Sequence, residues 1–121
     1  MVILIFILSQ HIVSCCWLIL ATLVKSKENY DGTWIAPYQN EYGGDDLALY
    51  CLAFYWSVTT ITTVGYGDIT GTNNYERVFC SFIMVVGVIL FSMANGALAS
   101  IMTSLDECGV DQHLDLLAEI Y

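Results

Sequence analysis

The residues Thr62-Thr63-Val64-Gly65-Tyr66-Gly67-Asp68 lie between two long apolar segments and decide how the chain is organised. Two glycines separated by one residue allow backbone torsions that a residue with a Cβ atom resists. A chain that alternates such torsions with ordinary ones turns successive carbonyl oxygens to the same side. Together with the hydroxyl of Thr63, these oxygens form a row of neutral, hard ligands suited to a dehydrated group-I cation. One strand cannot surround an ion, so the row is expected to form one quarter of a ring.

The two flanking segments have the length and composition of membrane-spanning helices. Side chains 1–24 carry no charge, and a helix over these residues covers roughly 36 Å, enough for a hydrocarbon core of ~30 Å. A cleaved signal peptide would have a basic start and a shorter apolar core. We therefore expect an outer helix over 1–25 and an inner helix over 74–105, which is apolar from Val78 onward.

The segment directly before the central stretch, 47–61, is too short to cross a bilayer, at about 22 Å as a helix. It predicts a re-entrant pore helix that enters from outside and stops partway. Non-helical backbone at membrane depth is tolerated where it lines a water-filled cavity, a condition that a filter over 62–68 meets. Asp45 and Asp46 favour the start of this helix, and Asp is a common N-cap.

The remaining two segments are polar. The outer loop, 26–46, contains turn-forming glycines and a proline, and we expect it to lie in water outside the pore mouth. Trp34 within it is either part of a short loop motif, Thr33-Trp34-Ile35, or only an interfacial anchor. Residues 106–121 are acidic and are predicted to begin a cytoplasmic linker, which leaves 1–105 as the pore domain.

The composition argues against several other functions. The 121 residues are 57% hydrophobic, and three basic residues against twelve acids give a net charge of −9. Nucleic acid favours clustered Lys and Arg, so we expect the lipid bilayer and no nucleic acid as a partner. No catalytic or metal-ligand set is complete, so neither an enzyme nor a cofactor is predicted. A disulfide between Cys51 and Cys80 is left open.

The stretch Thr63 to Asp68 resembles the selectivity filter of potassium channels. The resemblance extends back through residues 53–61. His11 and Trp17, together with the absence of a Pro-x-Pro kink in the inner helix, look like potassium channels that carry a cyclic-nucleotide-binding domain. The resemblance implies an all-α membrane protein with two transmembrane helices, a re-entrant pore helix and an extended filter. It also implies homotetrameric assembly and passive, selective K⁺ permeation.

The resemblance assigns roles to individual residues. Those expected to coordinate K⁺, as permeant ion, are Thr63, Val64, Gly65, Tyr66 and Gly67. Those expected to support the filter from behind are Tyr55, Trp56, Thr62 and Asp68.

Within the supporting set, the indole N–H of Trp56 is expected to bond the Tyr66 hydroxyl, and the Tyr55 hydroxyl is placed to reach Asp68. Gly87 lies twenty residues after Gly67 and is either a gating hinge or a site of close helix packing. The residues expected to line the cavity are Phe91 and Asn95.

The filter also sets the expected orientation, with both termini in the cytoplasm and the protein in the plasma membrane. Lys25 and Lys27 would then lie outside, against the usual excess of basic residues on the cytoplasmic side. Three basic residues are too few to outweigh the orientation that the filter implies.

Two other functions stay open. A filter of near-identical sequence loses selectivity when it is poorly supported, which would give a non-selective cation channel. A truncated or regulatory subunit would not conduct. In that case a longer chain would carry the voltage-sensing and cyclic-nucleotide-binding regions that these residues lack.

Overall fold

The computed structural model describes residues 1–25, 30–42 and 44–120, apart from the side chains of 111, 113–117, 119 and 120. Within these ranges the chain is helical and contains no strand, so the predicted all-α fold is confirmed. The helices are α1 (Val2–Val24), a 3₁₀ turn (Ala36–Tyr38), α2 (Gln39–Tyr42), α3 (Asp46–Ile61) and α4 (Asn74–Ile120).

Two of these helices, α1 and α4, are long and apolar enough to cross a membrane. Only 22% and 11% of the residues in their most apolar windows are buried. A core helix of a soluble protein would bury most of such a window, so their exposed apolar side chains fit a lipid environment.

Helix α4 continues well beyond the predicted inner helix. Its 47 residues cover about 70 Å, more than twice the hydrocarbon thickness. No helix end separates 74–105 from 106–120, because the segment holds no proline and Gly109 keeps an ordinary helical φ. The cytoplasmic linker stays a prediction, and it would begin as a continuation of α4.

Helix α3 begins where the acidic residues are. Asp45 is its N-cap, and its carboxylate accepts hydrogen bonds from the amides of Leu47 (3.0 Å) and Ala48 (3.1 Å). These bonds satisfy two of the free amides at the helix start, so the predicted cap is confirmed. Helices α1, α3 and α4 all pack against one another, and the Ser57 hydroxyl of α3 donates to Oε1 of the buried Gln10 in α1 at 2.7 Å.

The core centres on stacked aromatic rings. Trp17 of α1 is fully buried. The centroid of its ring lies 4.2 Å from that of Trp56 in α3 and 5.6 Å from that of Trp34 in the outer loop. Phe79 of α4 stacks on Trp17 at 5.8 Å. The aromatic rings of four separate segments therefore meet in one cluster behind the central stretch.

The interpretation of Trp34 as an interfacial anchor is wrong. Trp34 is 1% exposed, and its indole Nε1 donates to the carbonyl of Trp17 at 3.3 Å. Thr33 and Ile35 are buried beside it, so this part of the loop packs into protein rather than lying in water. Residues 26–29 and Gly43 of the predicted loop lie outside the described residues.

Candidate functional site

The backbone of the central stretch alternates between two conformations. The φ angle is +64° at Thr63, +56° at Gly65 and +77° at Gly67, and it is not positive at the two residues between them. A β-branched residue with positive φ is rare, and such strain costs on the order of 1–3 kcal/mol. Sequence analysis placed special torsions only at the glycines. Thr63 lies two residues before Gly65, so positive φ occurs at every second residue from Thr63 to Gly67.

The amides of this stretch point back towards α3. The N–H groups of Val64 and Gly65 both donate to the carbonyl of Thr59, at 2.9 and 3.0 Å, and that of Thr63 donates to Thr60 at 3.1 Å. In a trans peptide the N–H and the preceding C=O point in opposite directions. The carbonyl oxygens of Thr63 and Val64 therefore face away from α3, on a side where residues 63–68 are all exposed.

Asp68, at the outer end of this stretch, has two tyrosine neighbours. The hydroxyl of Tyr38 donates to its carbonyl at 3.2 Å, and the side chain of Tyr55 lies near its carboxylate. The ring of Tyr55 also stacks on that of Tyr66, at 6.4 Å and nearly parallel. The two side chains expected to pair are therefore neighbours, and the hydrogen bond between them stays a prediction.

Trp56 and Thr62, the other two residues expected to support the filter, contact helices. Trp56 is 4% exposed and stacks on Trp17, whereas Tyr66 is 71% exposed. The bond expected between Trp56 and Tyr66 is not among the hydrogen bonds of the described residues within one chain. Thr62 donates its hydroxyl to the carbonyl of Val58 at 2.7 Å and so closes the end of α3.

Gly87 lies where α4 touches the end of α3. A Cβ atom on Gly87 would come within 3.3 Å of the Cα and Cγ1 atoms of Ile61. The geometry favours the close-packing role, and α4 is unbroken there; the hinge role stays a prediction. Phe91 and Asn95 follow at four-residue intervals on the same side of α4, with Phe91 half-buried and Asn95 exposed.

A groove of about 390 Å³ lies beside the filter, between α3 and α4. Its lining includes Trp56 of α3, Gly67 and Asp68 of the central stretch, and Met84 of α4. The groove is open on one side, which leaves Trp56 reachable from outside the chain.

The structure adds one residue that sequence analysis missed. Glu76, in the first turn of α4, is fully buried and hydrogen-bonds both the outer loop and the segment after the filter. A sequence signal for it exists, because Asn73-x-x-Glu76 before an apolar run has the pattern of a capping box. The structure contains the first half of that box, with the Glu76 amide donating to Asn73 Oδ1 at 2.9 Å.

Residues 2–104 match the family model described as ion channel. The chain belongs to the ion channel family. The matched region contains α1, α3, the central stretch and the apolar part of α4. This channel is therefore an integral membrane protein and not an enzyme, as predicted.

Curated relatives of this channel carry potassium-channel names. It is 35% identical to "Potassium channel KAT6" of Oryza sativa subsp. japonica over 95 residues, which are 76% of this chain and 15% of that protein. It is 25% identical to "Potassium voltage-gated channel unc-103" of Caenorhabditis elegans over 114 residues, which are 83% of this chain and 14% of that protein. The predicted likeness to potassium channels is confirmed. The chain spans about one seventh of the length of these relatives.

Proposed function

We propose that this channel conducts K⁺ selectively and passively, with residues 62–68 as its selectivity filter. The observation that carries the proposal is the alternation of positive φ at Thr63, Gly65 and Gly67, with the amides of Val64 and Gly65 bonded back to Thr59. This arrangement gives an exposed row of carbonyl oxygens that can replace the hydration shell of an ion. The potassium-channel names of the relatives support K⁺ as that ion.

The filter requires several copies of the chain, and we propose a homotetramer. Residues 63–68 are exposed in one chain, although non-helical backbone at membrane depth has to be covered by protein or line a water-filled cavity. Four copies around one axis would satisfy both conditions. The row of each chain would then supply one quarter of the oxygens around each ion.

Assembly also offers a partner for Tyr66. Its ring is 71% exposed in one chain, and Trp56 lines the open groove beside the filter. In the tetramer the Tyr66 side chain of one copy is expected to enter the groove of the next. The predicted bond between the Trp56 indole and the Tyr66 hydroxyl would then form between copies.

The proposal also includes the orientation of the chain, the hinge, the cavity and the regions of a longer chain. The filter orientation puts both termini in the cytoplasm and suits a plasma-membrane channel. Gly87 would permit bending of α4 as well as close packing, and Phe91 and Asn95 would line the cavity below the filter. Voltage-sensing and cyclic-nucleotide-binding regions would belong to a longer chain.

Reversal potentials test the proposed function. Purified chain is inserted into planar bilayers with opposed K⁺ and Na⁺ gradients. A K⁺-selective pore reverses close to the K⁺ equilibrium potential. A reversal near zero would indicate a non-selective cation channel, and the absence of current would indicate a non-conducting subunit.

Assembly is measured separately by cross-linking in mild detergent. A ladder of products that ends at four subunits is expected. A ladder that ends at two would contradict the ring of four rows.

A further inference from the structure

We propose that Glu76 is a positioning residue of the filter, through a set of hydrogen bonds that we name the outer clamp. The members of the outer clamp are Gly32, Trp34, Thr72, Asn73 and Glu76. The clamp holds the outer loop and the segment after the filter against the start of α4. The inference rests on the proposed function, because it assigns the clamp the task of keeping the filter in its conducting form.

The centre of the clamp is a fully buried carboxylate. Oε1 of Glu76 accepts from the amide of Trp34 at 3.1 Å. Oε2 accepts from the amide of Thr72 at 2.9 Å and lies 3.1 Å from the Thr72 hydroxyl. These recorded partners are all neutral donors. A buried carboxylate depends on such bonds, because each lost donor leaves charge without compensation.

A second layer joins the same two segments directly. The carbonyl of Gly32 lies 2.9 Å from both the Thr72 hydroxyl and Nδ2 of Asn73. The Thr72 hydroxyl has one proton, so the Gly32 carbonyl and the Glu76 carboxylate share it. The clamp therefore links residues about forty positions apart by several bonds that depend on one another.

The segment after the filter fits the clamp closely. A Cβ atom on Gly71 would lie 3.1 Å from the amide nitrogen of Arg77 and from two atoms of Glu76. The glycine lets the chain pass directly over the first turn of α4. This contact leaves the segment little room to shift while Glu76 keeps its bonds.

The clamp reaches the filter by two routes. Thr72 lies four residues after Asp68, whose carbonyl accepts a hydrogen bond from the Tyr38 hydroxyl. On the other route, Trp34 stacks on Trp17, and Trp17 stacks on Trp56 of α3. Loss of the Glu76 bonds would free both the outer end of the filter and the helix behind it. The outer carbonyl oxygens could then turn away from the ions.

The test replaces Glu76 by Gln, which keeps the shape but turns one of two acceptors into a donor. Glu76→Gln is expected to lose current during sustained opening about tenfold faster than wild type. Raising external K⁺ should slow that loss, because an ion bound in the filter stabilises the conducting form. A merely structural role would lower the amount of channel in the membrane and leave the rate and its K⁺ dependence unchanged.

The matched control is Glu41→Gln, which removes the same charge from an exposed position in α2. It should lose current at the wild-type rate. An equal acceleration in Glu41→Gln would overturn the assignment, because a general effect of charge would then explain the result.

A second pair of variants keeps the test independent of whether Glu76→Gln reaches the membrane. Thr72→Val removes the shared hydroxyl, and Thr72→Ser retains it. The Val variant should lose current faster, and the Ser variant should behave as wild type. Wild-type rates in both Glu76→Gln and Thr72→Val at low external K⁺ would overturn the proposal. A wild-type channel without K⁺ selectivity would instead overturn the proposed function before any variant is compared.

Discussion

The two sides of the filter differ in almost every physical respect. On the front, residues 63–68 are exposed, and three of the backbone φ angles are positive. On the back, Trp17, Trp34, Trp56 and Glu76 are at most 4% exposed and contact one another through stacking and hydrogen bonds. The front presents backbone in strained torsions, and the back contains the packing of a stable protein.

This contrast explains how a strained conformation persists. Positive φ at Thr63 is unfavourable on its own, so the surrounding structure has to over-determine it. The amide bonds to Thr59 and Thr60 provide part of that restraint. The aromatic cluster and the outer clamp hold α3 and the segment after the filter. The packing on the back therefore restrains the backbone conformation of the front.

The largest effect is expected from substitutions that change the front and leave the packing on the back intact. Gly65→Ala and Gly67→Ala should abolish selective current and leave membrane insertion intact. A Cβ atom at either position meets no atom within 4 Å in one chain, so the strain comes from positive φ rather than from crowding. Current and surface amount are measured together.

Gly44→Ala is the matched control, because Gly44 also has open space around it and lacks a positive φ. It should conduct as wild type. Unchanged K⁺ selectivity in Gly67→Ala would refute the filter assignment.

The next effect breaks the back while the filter sequence stays intact. Trp17→Ala removes the central ring of the aromatic cluster and should lower the free energy of unfolding by about 3–5 kcal/mol. Denaturation of the assembled channel measures this loss. Ile19→Ala in the same helix, at a side chain that is 55% exposed, should change it far less. Equal losses in the two variants would argue against a core centred on Trp17.

A smaller effect is expected at the join between front and back. Tyr55→Phe removes the hydroxyl that is predicted to bond Asp68 but keeps the ring that stacks on Tyr66. Current should decline a few-fold faster during sustained opening. Tyr75→Phe alters an exposed tyrosine at the start of α4 and serves as the control. Identical decline in wild type and Tyr55→Phe would remove the link between this bond and filter stability.

The smallest effect lies at the far end of α4. Asp106 and Glu107 are exposed on the continuing helix and would place two carboxylates from each copy near the cytoplasmic mouth. Asp106→Asn combined with Glu107→Gln should reduce outward single-channel current at low salt and leave selectivity unchanged. Screening over ~8 Å at physiological salt should make the difference small. Equal currents at low salt would show that both acids are only solvated surface.

Local chemistry made much of this molecule predictable from sequence. The two membrane-capable helices, the short helix α3 and its Asp45 cap each depend on neighbouring residues. The burial of Trp34, which sequence analysis missed, depends on distant residues. The residues around Trp34 have the sequence of a polar loop. Its burial depends on contacts with Trp17 and with Glu76, which is 42 residues further along the chain. The positive φ of Thr63 depends instead on nearby amide bonds to Thr59 and Thr60, which the residue types of the stretch do not indicate.

The most direct test of the central claim compares L-Ala with D-Ala at position 67, introduced by chemical ligation. A D residue adopts φ near +77° without the steric cost that an L residue meets, so the two variants differ in backbone preference at equal composition. Reversal potentials are measured under opposed K⁺ and Na⁺ gradients. The alternating backbone predicts K⁺ selectivity close to wild type for D-Ala and its loss for L-Ala. Equal behaviour of the two variants, whether both selective or both not, would contradict the claim.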